Sequence, residues 1–317
     1  MQLKAGLINK LARPLGVEIE LAKVGRMNIY QPPFNLNWHW EEDGTLTPGG
    51  KELVGRPCSG DDWAAMMAAM GDHIHNCGAK VDKSCGLHVH VQASDLKLMD
   101  IRRLIKLWCA VEKEVFTSLV ASERRENKYC YPMSIAADER REAWQFDSSD
   151  LLRLMRTRNM DKLRLENWLI KKLYGLDLSQ KMEAPPRPAD LNDVAAVRNY
   201  NKQYDKFTAY QQAVMSFNRL KQNKRGTAGK GCRYSAMNVH AWFYRGKTKT
   251  IEFRCKEGTI DPEELIFWPL FCGWFVESAT RLSDSAIMGV SNLQAWLEAS
   301  RGFAQPQVLE WISGRVK

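Results

Sequence analysis

No apolar run in the chain reaches the ~18 residues that a membrane-spanning helix needs. The opening Met1-Gln2-Leu3-Lys4-Ala5-Gly6-Leu7 lacks the long apolar segment and cleavage site of a secretory signal. Eight cysteines are scattered without a CxxC pair, and a chain of 317 residues is too long to need a disulfide framework. These absences argue against a membrane span and a disulfide scaffold, and lead us to expect reduced thiols and a cytoplasmic protein. There is no internal repeat and no low-complexity tract. What is present is ordinary for a globular chain, 44% hydrophobic and 26% charged, so a sizeable core is expected.

The net charge of +9 is unevenly spread. Residues 124–233 hold 23 Lys+Arg against 13 Asp+Glu, while the remainder holds 23 against 24. The basic excess belongs to the middle of the chain, where it suits an acidic substrate, a nucleotide or nucleic acid, or simply the solvated face of long helices.

The most informative stretch is Cys85-Gly86-Leu87-His88-Val89-His90-Val91, which reads as one buried strand. Side chains of a strand alternate, so His88 and His90 share one face and Leu87, Val89 and Val91 the other. Two further stretches repeat the pattern. Gly16-Val17-Glu18-Ile19-Glu20-Leu21 sets two carboxylates against an apolar face, and Thr250-Ile251-Glu252-Phe253-Arg254 does so with a carboxylate and a guanidinium. A solvated sheet face is normally more mixed. If the three strands share one sheet, they build a floor of three carboxylates, two imidazoles and an arginine. Carboxylates so crowded repel one another unless a cation neutralises them, so bound metal is expected.

The connecting segments fill in an α+β chain. Trp38 to Glu42 alternates before an Asp43-Gly44 turn, and Lys51-Glu52-Leu53-Val54 brings a fourth acid, Glu52, into the sheet. Ser59 or Asp61 caps a helix that Gly78 ends; Ser94-Asp95 caps a second, whose apolar stripe from Leu98 to Leu119 must cover the back of a sheet. Arg124, Arg125 and Lys128 then concentrate in a segment that breaks the periodicity, which suits carboxylate or phosphate recognition. Helical patterns resume over 147–175 and 191–221, separated by a Pro-rich connector. The Gly-rich loop Arg225 to Arg233 lacks Walker spacing, yet its Lys230 and Arg233 could close over phosphates. A strand from Tyr234 to Trp242, with Asn238 on its polar side, precedes the Glu252 strand. Asp261-Pro262-Glu263-Glu264 opens a buried helix, which Pro269 is expected to kink, and two short amphipathic helices follow Ser283.

Taken together, Gly16 to Glu20, Asp43-Gly44, Glu52-Leu53-Val54, Cys85 to Val91, Tyr234 to Asn238 and Thr250 to Arg254 closely resemble the putative amidoligase family, over about residues 16–282. That family belongs with the carboxylate–amine ligases of the glutamine synthetase and gamma-glutamylcysteine ligase class. The resemblance implies a curved, mainly antiparallel glutamine synthetase-like sheet with helices on its back, in a domain over 1–282; the basic helical insertion at about 131–230 is long for the family, and 283–317 form a helical extension beyond it. It also implies an ATP-dependent ligase that joins a carboxylate to an amine, on small molecules, peptides or a protein side chain, using two or three Mg2+ ions, or Mn2+. By this likeness Glu18, Glu20, Glu52, His88 and Glu252 hold metal. His90 and Arg254 meet the nucleotide phosphates, to which the basic loop adds Lys230 and Arg233, with Arg254 and Glu252 catalytic, and Arg124, Tyr129 and Asn238 face the substrate. Thr250 stands where glutamine synthetases carry an additional arginine, so phosphate contacts differ here.

Two other readings stand beside it. A zinc hydrolase or structural zinc protein would use Cys77, Cys85, His88 and His90, but the spacing is not compact and Cys85 falls one register step from the histidine face. A nucleic-acid module would use the basic middle with its Tyr and Trp residues and bind with steep salt dependence. Oligomerisation is compatible with every reading.

Overall fold

A computed structural model of the chain describes residues 13–24, 38–124, 127, 129–130, 132–133, 183–190, 192–221, 235–243 and 249–316. The strands are β1 (Leu15–Leu21), β2 (Trp38–Glu41), β3 (Lys51–Cys58), β4 (Gly86–Gln92), β5 (Met237–Asn238) and β6 (Thr250–Glu257). The helices are α1 (Gly60–Asn76), α2 (Leu98–Ser118), α3 (Val194–Lys221), α4 (His240–Phe243), α5 (Pro262–Arg281), α6 (Asp284–Gly289), α7 (Leu293–Ser300) and α8 (Pro306–Ser313). All six strands form one open antiparallel sheet in the order β2-β3-β1-β4-β6-β5. The three strands with the alternating ionisable pattern are thus adjacent at its centre.

Alternation decides which way the sheet faces. Val17, Ile19 and Leu21 of β1, Leu87, Val89 and Val91 of β4, and Ile251 and Phe253 of β6 are all fully buried. Helices α2 and α5 cover that side. Trp108 of α2 meets Phe253 at 5.3 Å and Phe275 of α5 at 5.5 Å between ring centroids, both edge-on. Each such ring contributes roughly 1.5–3 kcal/mol through burial alone. Apolar packing on the back therefore forces the acids and imidazoles of the same strands to the front.

Several local expectations are corrected. Neither Ser94 nor Asp95 caps α2: Lys97 is the N-cap, and its backbone N–H donates to Asp100 at 2.8 Å. The Asp95 carboxylate instead receives two hydrogen bonds from Arg13, at 2.5 and 2.8 Å, which tie the start of β1 to the loop after β4. Among the described residues of the segment expected as a strand from Tyr234 to Trp242, Met237 and Asn238 pair with β6 and the Ala236 carbonyl accepts from the Arg254 N–H at 2.8 Å, before the chain turns into the short α4. The turn lets Trp242 bury its ring. Strand β3 runs on past Val54 to Cys58, and its pairing with β1 slips opposite Pro57, which has no N–H to give the ladder. Three helices, not two, follow Ser283. The Asp261 cap of α5 is as expected, its carboxylate accepting from the backbone N–H groups of Glu263 and Glu264. Gly78 closes α1 in the left-handed region at φ +58°.

The Asp95 pair makes one pH dependence explicit. Hydrogen bonds from Arg13 and its charge hold the Asp95 carboxyl below its usual range. A lowered folded value means that the stabilisation is complete above the unfolded value of about 3.9 and is lost as pH falls through the folded one. In thermal melts across that acid range, an Asp95→Asn protein should lose less melting temperature than the wild type. An equal loss in both would remove the pair as a contributor.

Candidate active site

Strand register turns the alternation into contacts. Glu18 lies opposite His88, Glu20 opposite Glu52, His90 opposite Glu252, and Asn238 opposite Glu252. Residues directly opposite in an antiparallel pair share a face and touch. His88 Nδ1 is 3.3 Å from Glu18 and 3.7 Å from Glu20; His90 Nε2 is 3.0 Å from Glu18 and 3.9 Å from Glu252. The Asn238 amide donates to Glu252 Oε2 at 2.8 Å, and the Arg254 guanidinium pairs with the other oxygen of the same carboxylate.

Two groups of potential ligands emerge among the described residues, Glu18 with His88 and Glu252, and Glu20 with Glu52 and His88, each with donor atoms within 4.8 Å of one another. His88 is common to both. No cysteine joins either group. Cys85 Sγ lies 3.8 Å from an Asp82 oxygen and Cys77 Sγ donates to the Ile74 carbonyl at 3.3 Å, so the zinc reading finds no support here. The seven cysteines described are all free thiols.

Electrostatics separates the acids. Burial pushes Glu18 up, but the charge of His90 and hydrogen bonds from both imidazoles outweigh it, holding the carboxyl well below the usual range. Burial opposes ionisation of Glu252 as well, and Arg254 and His90 more than offset it. His90 is the counterpart: desolvation disfavours its charge, yet Glu18 and Glu252 lift it to about 9. Glu20 is raised, chiefly by burial. Glu52 is raised furthest, to about 8, by burial and by repulsion from Glu18 and Glu20. It is 9% exposed, and among the described residues no Lys, Arg or His pairs with it. Four carboxylates and an imidazole, with one carboxylate left uncompensated, fit a divalent cation. Glu18 and His90 keep 27% and 26% of their side chains exposed, so the site is open to solvent from the front.

The backbone is shaped for this cluster. Glu20 accepts from the Gly86 N–H at 2.5 Å. A Cβ on Gly86 would fall 2.9 Å from both Arg124 and His88 and 3.2 Å from Glu20, so any larger residue here would displace the ends of these side chains. Arg124 is buried, and its guanidinium donates to the carbonyls of Arg254 at 2.9 Å and Cys85 at 3.4 Å. It braces β4 against β6 while lending positive charge to Glu20. Arg254 Nε donates to the Tyr129 carbonyl at 3.2 Å.

Beside the acids lies a cavity of about 90 Å³, bordered by Glu20, Asp43, His88, Arg124, Tyr129 and Arg254. Of these, Asp43 is not among the residues expected at the site: Asp43-Gly44 reads as a turn and as one motif of the family likeness. The carboxylate does shape the turn, accepting from the Thr45 N–H at 2.7 Å and hydroxyl at 2.8 Å, and it also faces the site. Lys230, Arg233, Arg125 and Lys128 lie outside the described residues.

A family model described as "Putative amidoligase enzyme" matches residues 48–164 and 142–276. The chain belongs to this family. Its matched segments take in Glu52, His88, His90, Glu252 and Arg254 but begin after β1, whose Glu18 and Glu20 join these residues through strand pairing. No curated protein matches the chain. Membership makes it a ligase-type enzyme, and no described helix is long and apolar enough to cross a membrane.

Proposed function

We propose that the protein is an ATP-dependent carboxylate–amine ligase that forms an amide through an acyl phosphate, with Mg2+ held by Glu18, Glu20, Glu52, His88 and Glu252. The observation that supports this best is the shared His88 between two carboxylate groups on one sheet face, next to a paired arginine. When bound, Mg2+ would lower the repulsion between a substrate carboxylate and the triphosphate.

Why such an enzyme needs ATP follows from elementary chemistry. A carboxylate does not acylate an amine in water because oxide is too poor a leaving group. In the first step a carboxylate oxygen attacks the γ-phosphorus and the bond to ADP breaks. In the second, the amine nitrogen attacks the acyl carbon and gives up a proton, the carbon–oxygen bond to phosphate breaks, and phosphate departs with the electron pair.

The chain's own groups have distinct parts in this scheme. Arg254, fixed by Glu252 and by the Tyr129 carbonyl, supplies positive charge to the moving phosphoryl group. Asn238 orients Glu252, and His90, between Glu18 and Glu252, stands on the phosphate side as a potential donor. Arg124 acts by position, keeping β4 and β6 in register, and Tyr129 and the small cavity border the acceptor side. Lys230 and Arg233 remain proposed phosphate contacts from the basic loop.

The test is ADP release with Mg2+ and ATP across a panel of amino acids and peptides, followed by mass analysis of the products. The expected result is a product lighter by one water than its two reactants, formed in step with ADP. ADP release without any condensed product would indicate a phosphatase or kinase instead.

A further inference from the structure

Glu112 of α2 is fully buried behind the sheet and takes no part in the scheme above. A carboxylate with no exposure is costly to keep, so what it binds is informative. Its Oε1 accepts from the Trp108 indole N–H at 2.6 Å and from the Met133 backbone N–H at 2.7 Å. Trp108 stands one helical turn earlier, with its ring edge-on to Phe253 of β6. Met133 belongs to the segment that leaves α2 and reaches the active site.

That segment is held to β6 and β4 at its start. The Leu119 carbonyl accepts from Lys256 Nζ at 2.7 Å, the Ala121 N–H donates to Glu257 at 2.8 Å, and the Arg124 guanidinium donates to the carbonyls of Arg254 and Cys85. A turn follows. The Asn127 side-chain oxygen accepts from the Tyr129 N–H at 2.8 Å and its carbonyl from the Cys130 N–H at 3.2 Å, which leaves the Tyr129 carbonyl to accept from Arg254 Nε at 3.2 Å. These bonds shape the turn internally but do not fix it against the rest of the protein. Arg124 does so on one side. On the other, among the described residues, the next backbone group engaged is the Met133 N–H, on Glu112. Buried Pro132, with its fixed φ, keeps the link between them short and stiff.

We propose that Glu112 is a positioning residue for Arg254, holding from behind the sheet the turn whose Tyr129 carbonyl fixes that guanidinium. The same oxygen keeps Trp108 against Phe253, the neighbour of Arg254, so one buried carboxylate steadies both the back of the strand and the carbonyl on its front. The part that Arg254 plays in phosphoryl transfer rests on the ligase reading; the chain of hydrogen bonds from Glu112 to Arg254 does not.

The test uses the full chain labelled with [15N]arginine, and follows hydrogen exchange of the Arg254 Nε–H, assigned with an Arg254→Lys protein. Both bonds fall on Oε1. Glutamine puts a carbonyl oxygen in that place, whereas aspartate keeps the charge but is one methylene too short to reach both donors. Slow exchange is expected in the wild type and in Glu112→Gln, and exchange at least about tenfold faster in Glu112→Asp. In the same aspartate protein kcat for amide formation should fall about 10–100-fold, with KM for ATP nearly unchanged, as for a misplaced group that acts in the transition state. Trp108→Phe, which removes only the indole bond, should lower the melting temperature and leave Arg254 protected. In the wild type itself, the Met133 amide and the Arg254 Nε–H should exchange through one opening, with equal dependence on denaturant. The proposal is overturned if Glu112→Asp keeps wild-type protection, if Glu112→Gln loses it, if Trp108→Phe loses it equally, or if the two wild-type groups open separately, a result that needs no variant to fold. Absence of amide product would sink the ligase reading and leave the exchange results to decide this one.

Discussion

A Glu252→Gln protein forms amide at least about 10²–10³-fold more slowly than the wild type, with its fold intact. The size of the effect follows from how many contacts converge on this carboxylate. Arg254 holds one oxygen, Asn238 the other at 2.8 Å, and His90 stands 3.9 Å away. Glutamine fills the same volume but presents an amide N–H₂ to a neighbour that can only donate, so it disorders Arg254 where charge develops in the transition state. The fold survives because Arg254 keeps its hydrogen bond to the Tyr129 carbonyl and still faces the charges of Glu18 and Glu20. Initial rates of ADP and amide formation, with melting temperature as the control, decide the matter. Turnover within a few-fold of wild type would deny Glu252 its role.

Divalent cation is expected to raise the melting temperature of the wild-type protein, and Glu52→Gln to remove that rise while making the metal-free protein more stable. Both signs come from one cause. Burial and the negative charges of Glu18 and Glu20 push Glu52 up to about 8, so its ionised form is a burden that only a cation relieves. Occupancy at about 100 times Kd is worth about 2.7 kcal/mol, which for a chain of this size is a rise on the order of 4 °C. The neutral amide needs no counter-ion and removes the repulsion, a gain of stability at the expense of function. Thermal melts with EDTA and with Mg2+ or Mn2+ give the comparison. A metal-free Glu52→Gln protein that melts lower than wild type, or one that keeps the full cation response, would contradict this.

How far the sequence carries is instructive at particular residues. Strands β1, β4 and β6 are legible because strict alternation leaves apolar side chains no other way to be buried, and the charged set then has a single face to occupy. The stripe of α2 is legible for the same reason at helical period. Asn238 was placed on a strand, but the strand's length was not, because pairing with β6 lasts only as far as Glu252. The expected Asp95 cap does not form, since a local hydrogen bond competes with a distant one, and Arg13, far away in sequence, wins. Arg124 has substrate-binding chemistry by composition, yet its guanidinium is largely spent on two backbone carbonyls. Only the packing of β4 against β6 reveals that. Asp43 was hidden because an aspartate before glycine is sufficiently explained as a turn, and nothing local says what its other side faces.

The account rests on divalent ions lying between strands β1, β3, β4 and β6. The most direct measurement is anomalous diffraction from crystals grown with Mn2+ and a non-hydrolysable ATP analogue. Manganese peaks are expected on either side of His88, one within reach of Glu18 and Glu252 and the other of Glu20 and Glu52, with the analogue's phosphates toward Arg254. Well-ordered nucleotide bound elsewhere, or an acid cluster with no anomalous density at saturating Mn2+, would contradict it.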